Sequence, residues 1–137
     1  MAKYDDCILF LLSKAYQKAF GNFKRRLQDY GLTPVQSLVL MTIAEEEGLS
    51  AGDIGKRLVL DNATLSGVLD RLAEGGWIVK ATADDDKRLL QIYLTPKANE
   101  MTGIIIKERD GLNEDILSPL KLEERLLLKR MLKDMQK

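Results

Sequence analysis

The chain has 137 residues, with 21 Lys+Arg balanced by 21 Asp+Glu, no His, one Cys and 45% hydrophobic residues. That is one domain's worth of sequence, long enough to bury about two thirds of the surface its unfolded chain exposes without disulfide staples. Without His, neither a Ser-His-Asp nor a Cys-His nucleophile pair can be built, and a zinc site would rest on one thiol and carboxylates, so hydrolase and zinc-finger readings fall. A lone thiol fits a reducing compartment, and the N-terminus lacks the basic, apolar, small-residue order of an export signal. The longest apolar run, Ile8 to Leu12, is far short of the roughly 20 residues of a membrane span. The expectation is a soluble, cytoplasmic protein with no membrane partner, no cofactor and no metal. With zero net charge, its partner has to be read from motifs.

Residues 5–30 read as a helix, because Tyr16, Phe20, Phe23, Leu27 and Tyr30 recur at alternating steps of four and three. Six of the eight aromatics lie in this segment or immediately before it (Tyr4, Phe10, Tyr16, Phe20, Phe23, Tyr30), and Gly31 stops it. Thr33-Pro34-Val35-Gln36 then opens a second helix with a capping hydroxyl, proline in the first turn and Gln three residues after the cap. It is expected to run to about Glu47, with Val35, Leu38, Val39, Thr42 and Ile43 as its buried stripe. Glu45-Glu46-Glu47, at the dipole's unfavourable end, reads as a solvated, frayed last turn.

Ser50-Ala51-Gly52-Asp53 is a second capping box leading into Ile54 and Leu58, followed by a turn through Val59, Leu60 and Asp61. Another helix starts at or just before Asn62, with Leu65, Val68, Leu69 and Leu72 on its buried face and Gly75-Gly76 at its end. Two short helices and a tight turn make a helix-turn-helix candidate, in which Gly55 lets the second helix cross closely. After Gly76 the apolar period falls to about two: Trp77–Thr82 and Arg88–Thr95 read as strands around the polar loop Ala83–Lys87, a hairpin. Thr95-Pro96 caps a helix to about Leu117 with Ala98, Met101, Ile104, Ile105 and Leu112 at helical spacing, Ser118-Pro119 breaks it, and a last helix runs from Leu122 to about Met135. The fold expected is mainly α with a small β-hairpin wing (α+β), in winged helix-turn-helix order.

Bulk charge does not identify the partner of this lobe. Residues 50–95 carry six basic side chains against seven acidic ones, net −1. Local arrangement says more: Asp86-Lys87-Arg88 puts a carboxylate two residues before a guanidinium, on the same side of an extended segment. There it can hold the Arg fork for insertion into a narrow minor groove, although the same residues also suit a plain polar hairpin tip.

The stretch Leu60-Asp61-Asn62-Ala63-Thr64-Leu65-Ser66-Gly67-Val68-Leu69-Asp70-Arg71-Leu72, with Gly76-Trp77-Ile78, Asp84-Asp85-Asp86-Lys87-Arg88 and Ile92-Tyr93-Leu94-Thr95, resembles the MarR family of bacterial transcriptional regulators. Thr33-Pro34-Val35-Gln36 is similar to the start of that family's second helix. The resemblance implies a single domain over 1–137, in which 1–31 and 96–137 supply dimerisation helices and 32–95 form the DNA-binding lobe. It implies a cytoplasmic homodimer that binds a pseudo-palindromic double-stranded operator, a repressor released by a small aromatic or phenolic-type ligand. By similarity, Asn62, Ala63, Thr64, Ser66 and Gly67 face bases or phosphates, Arg71 reaches the backbone, and Arg88 enters the minor groove beside Lys87 and oriented by Asp86.

The chain departs from the family pattern at Asn62 and Gly67, where many members carry basic residues, which predicts weaker phosphate anchoring and a shallower salt dependence, or dependence on a shape-selected site. Gly67 alternatively permits close approach of the helix to the sugar-phosphate. Tyr16, Phe20, Phe23 and Tyr30 read mainly as dimer core, with an effector pocket as the alternative. Two further readings stay open. One is a winged-helix protein-interaction module without DNA binding; the other is thiol-based redox sensing through Cys7, where Asp5 and Asp6 disfavour a thiolate and a helix N-terminus favours one. An enzyme is not expected: the carboxylates Asp84-Asp85-Asp86 fall on an expected exposed loop, and no phosphate loop is present.

Overall fold

A computed structural model describes residues 3–82 and 89–137. Six helices and three short strands follow one another as α1 (Ile8–Leu27), α2 (Pro34–Glu45), β1 (Leu49–Ser50), α3 (Ala51–Leu58), α4 (Asn62–Glu74), β2 (Ile78–Thr82), β3 (Leu90–Leu94), α5 (Pro96–Leu117) and α6 (Leu122–Asp134). Single 3-10 turns at Tyr4–Asp6 and Gln28–Tyr30 flank α1. This is the winged helix-turn-helix expected, and the helix boundaries follow the caps.

The Gln36 N–H donates to Thr33 Oγ1 at 3.2 Å while the Thr33 N–H donates to Gln36 Oε1 at 2.9 Å, closing the first capping box. The second is closed by the Asp53 N–H to Ser50 Oγ at 3.1 Å and the Ser50 N–H to Asp53 Oδ2 at 3.4 Å. Each satisfies two backbone or cap groups that a bare helix start leaves orphaned. Thr95 caps α5, accepting from the Ala98 N–H at 3.3 Å, and its hydroxyl donates to the Gly76 carbonyl at 2.6 Å. One side chain thus starts a helix and ties it to the turn before β2.

The hairpin is the larger part of a three-stranded antiparallel sheet in the order β1-β3-β2, with Ile78 opposite Leu94 and Thr82 opposite Leu90. The third strand is a correction to the expected two: Leu49 and Ser50 pair with Ile92 and Gln91. Two residues carry no period, so only the long-range pairing reveals β1.

The core is one cluster of Phe23, Leu27 and Leu32 with Val39, Leu40 and Ile43 of α2, Ile54 of α3, Leu65, Leu69 and Leu72 of α4, the sheet residues, and Ala98 and Ile105 of α5. Full burial of each Leu or Ile side chain is worth about 1.5–3 kcal/mol. Helix α2 packs against α1, α3, α4, α5 and β3, so its buried arc is wider than the expected stripe and rotated from it. Leu40 and Ser37 are buried, whereas Leu38 is 44% exposed. Ile104 likewise turns out of the core while Ile105 is buried.

The acidic end of α2 is exposed, as expected, and the helix stops at Glu45 rather than Glu47, yet the two carboxylates beyond it have partners. Glu46 pairs with Arg57 of α3, and Glu47 Oε2 accepts the Leu94 N–H at 3.4 Å. These carboxylates fasten α2 to both the helix-turn-helix and the wing.

At the chain ends the packing differs. Only Phe23 and Leu27 of α1 are buried, and α6 has no buried residue. Helix α6 is held to α5 by Arg125, whose Nη1 and Nη2 reach the Glu114 carboxylate at 2.9 and 3.2 Å. Helices α1 and α5 are joined by Arg26, which contacts Asp115 at 2.5 Å and Glu108 at 3.6 Å. Its guanidinium lies over Gly111, in the space a Cβ there would enter, so a side chain at that position would push the guanidinium aside.

Candidate nucleic-acid interface

Helix α4 is presented by a tightly built turn. A Cβ on Gly55 would lie 3.2 Å from both the Leu60 carbonyl and Leu65 Cδ2, so α3 and α4 cross as closely as a glycine allows. The Val59 and Leu60 N–H groups both donate to the Gly55 carbonyl, drawing the chain around the end of α3. Val59 thereby takes a left-handed conformation, φ 56° and ψ 52°, the one non-glycine positive φ among the described residues. That conformation costs an L-residue about 1–2 kcal/mol, and a β-branched residue tolerates it poorly.

Asp61 then caps α4. Its Oδ1 accepts the Thr64 N–H at 2.8 Å and its Oδ2 accepts the Thr64 hydroxyl at 2.9 Å. The Thr64 backbone N–H, followed by the hydroxyl, holds the Asp61 carboxyl below the usual carboxylate range. The hydroxyl of Thr64 is therefore engaged as a donor, which leaves its methyl group and acceptor lone pairs for an outside partner.

Asn62, Ala63, Thr64 and Ser66 are exposed on the first turns of α4, where orphan N–H groups and the helix dipole favour anions. Gly67 is half-buried and a Cβ there would meet nothing within 4 Å, so no packing within the chain requires glycine. Arg71 is exposed one turn further on. Asp86, Lys87 and Arg88, and the acidic Asp84 and Asp85, lie outside the described residues.

Two cations of the lobe are paired within it: Lys80 Nζ contacts Asp70 Oδ1 at 2.7 Å, and Arg57 contacts Glu46. Lys56 and Arg71 form no such pair with a carboxylate among the described residues. Charge counting alone does not show which lysines and arginines have a carboxylate within reach.

A cavity of about 350 Å³ opens between α1, α2 and α5, lined by Tyr16, Phe20, Phe23, Val35, Leu38, Met41, Leu112 and Arg109 among others. Its walls are mostly apolar, with Arg109, Asn113 and Tyr16 bringing polar groups, and it lies where the terminal helices meet the lobe. Phe23, expected in a dimer core, is buried within the single chain. A smaller cavity of about 220 Å³ separates α4 from the sheet and is lined by Asn62, Ser66, Lys80 and Leu90. Neither cavity is visible in the sequence, because each is lined from elements distant along the chain. Cys7 is free and exposed; it sits at the N-cap of α1 and its side chain makes no capping hydrogen bond. Among the described residues there is no cluster of three metal-binding side chains, and no helix long and apolar enough to cross a membrane.

Residues 30–89, from the end of the first helical segment through the wing loop, match the model of the MarR family. The HTH-type transcriptional regulator TtmR of Methylorubrum extorquens (strain PA1) is 36% identical over 115 residues, covering 73% of this chain and 59% of the relative. The chain thus spans less than two thirds of that relative's length. Among solved structures, a probable transcriptional regulator from Pseudomonas aeruginosa superposes with a TM-score of 0.91 at 29% identity, covering 97% of this chain and 99% of the other. BpsR of Bordetella bronchiseptica, whose DNA binding is regulated by 6-hydroxynicotinic acid, shares the fold with a TM-score of 0.94 at 23% identity, covering 100% and 98%. Motif order, helix-turn-helix geometry and wing agree with these relatives along the chain, which belongs to the MarR family.

Proposed function

We propose that this chain is a sequence-specific double-stranded DNA-binding transcriptional regulator rather than an enzyme. It acts in the cytoplasm as a homodimeric repressor, released from its operator by a small aromatic or phenolic-type ligand. The observation that carries the reading is α4: a capped helix whose first two turns expose Asn62, Ala63, Thr64 and Ser66, beside a wing and on a rigidly crossed α3. A helix held this way lies in a major groove with its N-terminal residues at base edges. Asn62 is suited to adenine, Ser66 to either base type, and the Ala63 and Thr64 methyl groups to the thymine methyl. Gly67 and Arg71 approach the backbone, while Arg88, with Lys87 and the orienting Asp86, supplies the minor-groove contact by family resemblance.

Dimerisation through α1, α5 and α6 covers the apolar side chains the single chain leaves in water: Ile8, Leu9 and Leu12 at one end, Leu122, Leu126, Leu127 and Met131 at the other. One two-fold axis then sets the two α4 helices against half-sites about one helical turn apart, or a multiple of that, in a pseudo-palindrome. The effector reading rests on the 350 Å³ cavity, whose rings suit an aromatic body and whose Arg109 suits a carboxylate or phenolate. Because α1 and α5 belong to the dimer and α2 to the lobe, a ligand wedged there alters the spacing of the reading helices. Ligand and operator then weaken each other by the same factor.

The test is selection of bound duplexes from a random pool, followed by anisotropy titrations of the winner at several salt concentrations, with and without hydroxylated aromatic acids such as 6-hydroxynicotinic acid. An inverted repeat, an affinity that falls with salt, and release by an aromatic acid are expected. Arg88→Ala is expected to weaken binding strongly while leaving the dimer intact; unchanged affinity removes the wing from the mechanism. A protein-interaction module is the second reading, favoured by the pairing of Lys80 and Arg57 inside the lobe. A folded dimer that enriches no duplex would support it. Redox sensing through Cys7 predicts operator release by hydroperoxide that Cys7→Ser abolishes.

A further inference from the structure

The capping bonds at the end of α3 set the left-handed backbone of the turn, but they do not account for a valine standing in it. Val59 occupies the left-handed conformation in which glycine is at ease and a β-branched side chain is not. Its side chain gives no packing in return, since it is 84% exposed, the most exposed large apolar side chain among the described residues. The backbone cannot relax, because the Val59 and Leu60 amides are fixed on the Gly55 carbonyl and Gly55 is wedged against Leu60 and Leu65. The fold therefore projects one bare isopropyl group from the turn two residues before the Asp61 cap, next in the chain to the end of α4 that exposes Asn62, Ala63 and Thr64.

Resting on the reading of α4 as a recognition helix, we infer that Val59 is a specificity-determining residue of the operator complex, making an apolar contact with a thymine methyl at the groove edge where α4 enters. The N-terminal end of a recognition helix is the end carried to the bases, and the turn that precedes it travels with that end. In the major groove, the C5 methyl of thymine is the apolar group a valine can meet. Strain held at an exposed position is accounted for when the side chain works in a complex.

The experiment uses the full chain and the duplex it selects from a random pool. Each thymine of a half-site is replaced in turn by deoxyuridine, which removes only the methyl, and wild type is compared with Val59→Gly and Val59→Asn, two residues at ease in the left-handed region. Both variants are expected to melt a few degrees higher than wild type. Both should bind the selected duplex about fivefold more weakly, the size of one lost apolar contact. At one thymine, deoxyuridine should weaken wild type by a similar factor and leave both variants unchanged. Variants that bind as tightly as wild type, or that lose the same factor as wild type at every deoxyuridine, overturn the inference while the operator reading stands. A loss in Val59→Gly that Val59→Asn does not share assigns the effect to turn flexibility and also overturns it. If wild type enriches no duplex, the DNA-binding reading falls and takes this one with it.

Discussion

The lobe from α2 to β3 and the helices at the chain ends are built from similar residues to different effect. In the lobe, Val39, Ile43, Ile54, Leu65, Leu72, Ile78 and Ile92 are all at or below 2% exposure. In α6, Leu122, Leu126, Leu127 and Met131 range from 41 to 70% exposure, and nothing in that helix is buried. The same leucine that closes the lobe's core is solvent-facing on α6. Apolar content therefore says how much surface a helix must hide, and only tertiary placement says whether its own chain hides it.

The largest test of that difference is to charge the terminal face. Leu126→Glu with Met131→Glu is expected to give a monomer by light scattering while far-ultraviolet circular dichroism and cooperative melting of the lobe persist. Operator affinity should fall about 10²–10⁴-fold, because two half-sites are no longer held by one particle. If the lobe unfolds as well, the two regions are one cooperative unit and the contrast fails. A matched pair of truncations sharpens it further: Leu72→Ala is expected to cost about 2–5 kcal/mol in denaturant titrations, as for other fully buried leucines. In the monomeric background Leu122→Ala, at a leucine of α6 that is 70% exposed, should cost under about 0.5 kcal/mol, the range of surface substitutions.

On the lobe's outer surface, Gly67→Arg is expected to tighten operator binding. It should steepen the slope of log affinity against log salt by about 1, since it adds one cation where a side chain has open space. An unchanged slope would place Gly67 away from the phosphates. The smallest effect is at the seam of α1 and α5, where the Asn22 amide and then the Arg26 guanidinium hold the Asp115 carboxyl below the usual range. A depressed carboxyl contributes in full above its unfolded value of about 3.9 and loses that contribution as pH falls through its folded value. Wild type should therefore lose more melting temperature than Asp115→Asn on acidification from about pH 5 to below the folded value. Parallel losses would remove the clamp from the stability of the seam.

What could be read from the residues was local. Thr33 with Gln36, Ser50 with Asp53, and Pro96 behind Thr95 mark helix starts within one turn, and the structure has helices starting there. The face of α4 followed from the positions of Leu65, Leu69 and Leu72, which leave Asn62, Ala63, Thr64 and Ser66 outside. What escaped depended on partners distant along the chain. Leu49 and Ser50 are a strand only because Ile92 and Gln91 lie beside them. Glu46 and Glu47 are anchors only because Arg57 and the Leu94 amide come within reach. Leu38 and Ile104 follow the helical period yet face outward, because helices packed on several sides do not bury a single regular stripe. The sign of φ at Val59 is invisible in a valine; it arises from Gly55, four residues away, accepting two amides on one carbonyl. Asp86, Lys87 and Arg88 rest on resemblance.

The seam between Gly76 and Thr95 also has an optical consequence. The chain's one tryptophan, Trp77, is 7% exposed, with the Lys97 ammonium 4.2 Å from its ring centroid and bonded to the Gly75 carbonyl at 2.9 Å. Lys97 belongs to α5 and Trp77 to the lobe, so the indole is lit by the contact between the region that would pair and the region that would read. A shift of one against the other withdraws the cation and admits water, moving indole emission to longer wavelength. The native protein thus carries an unlabelled gauge of its own lobe position, with no competing fluorophore of its kind.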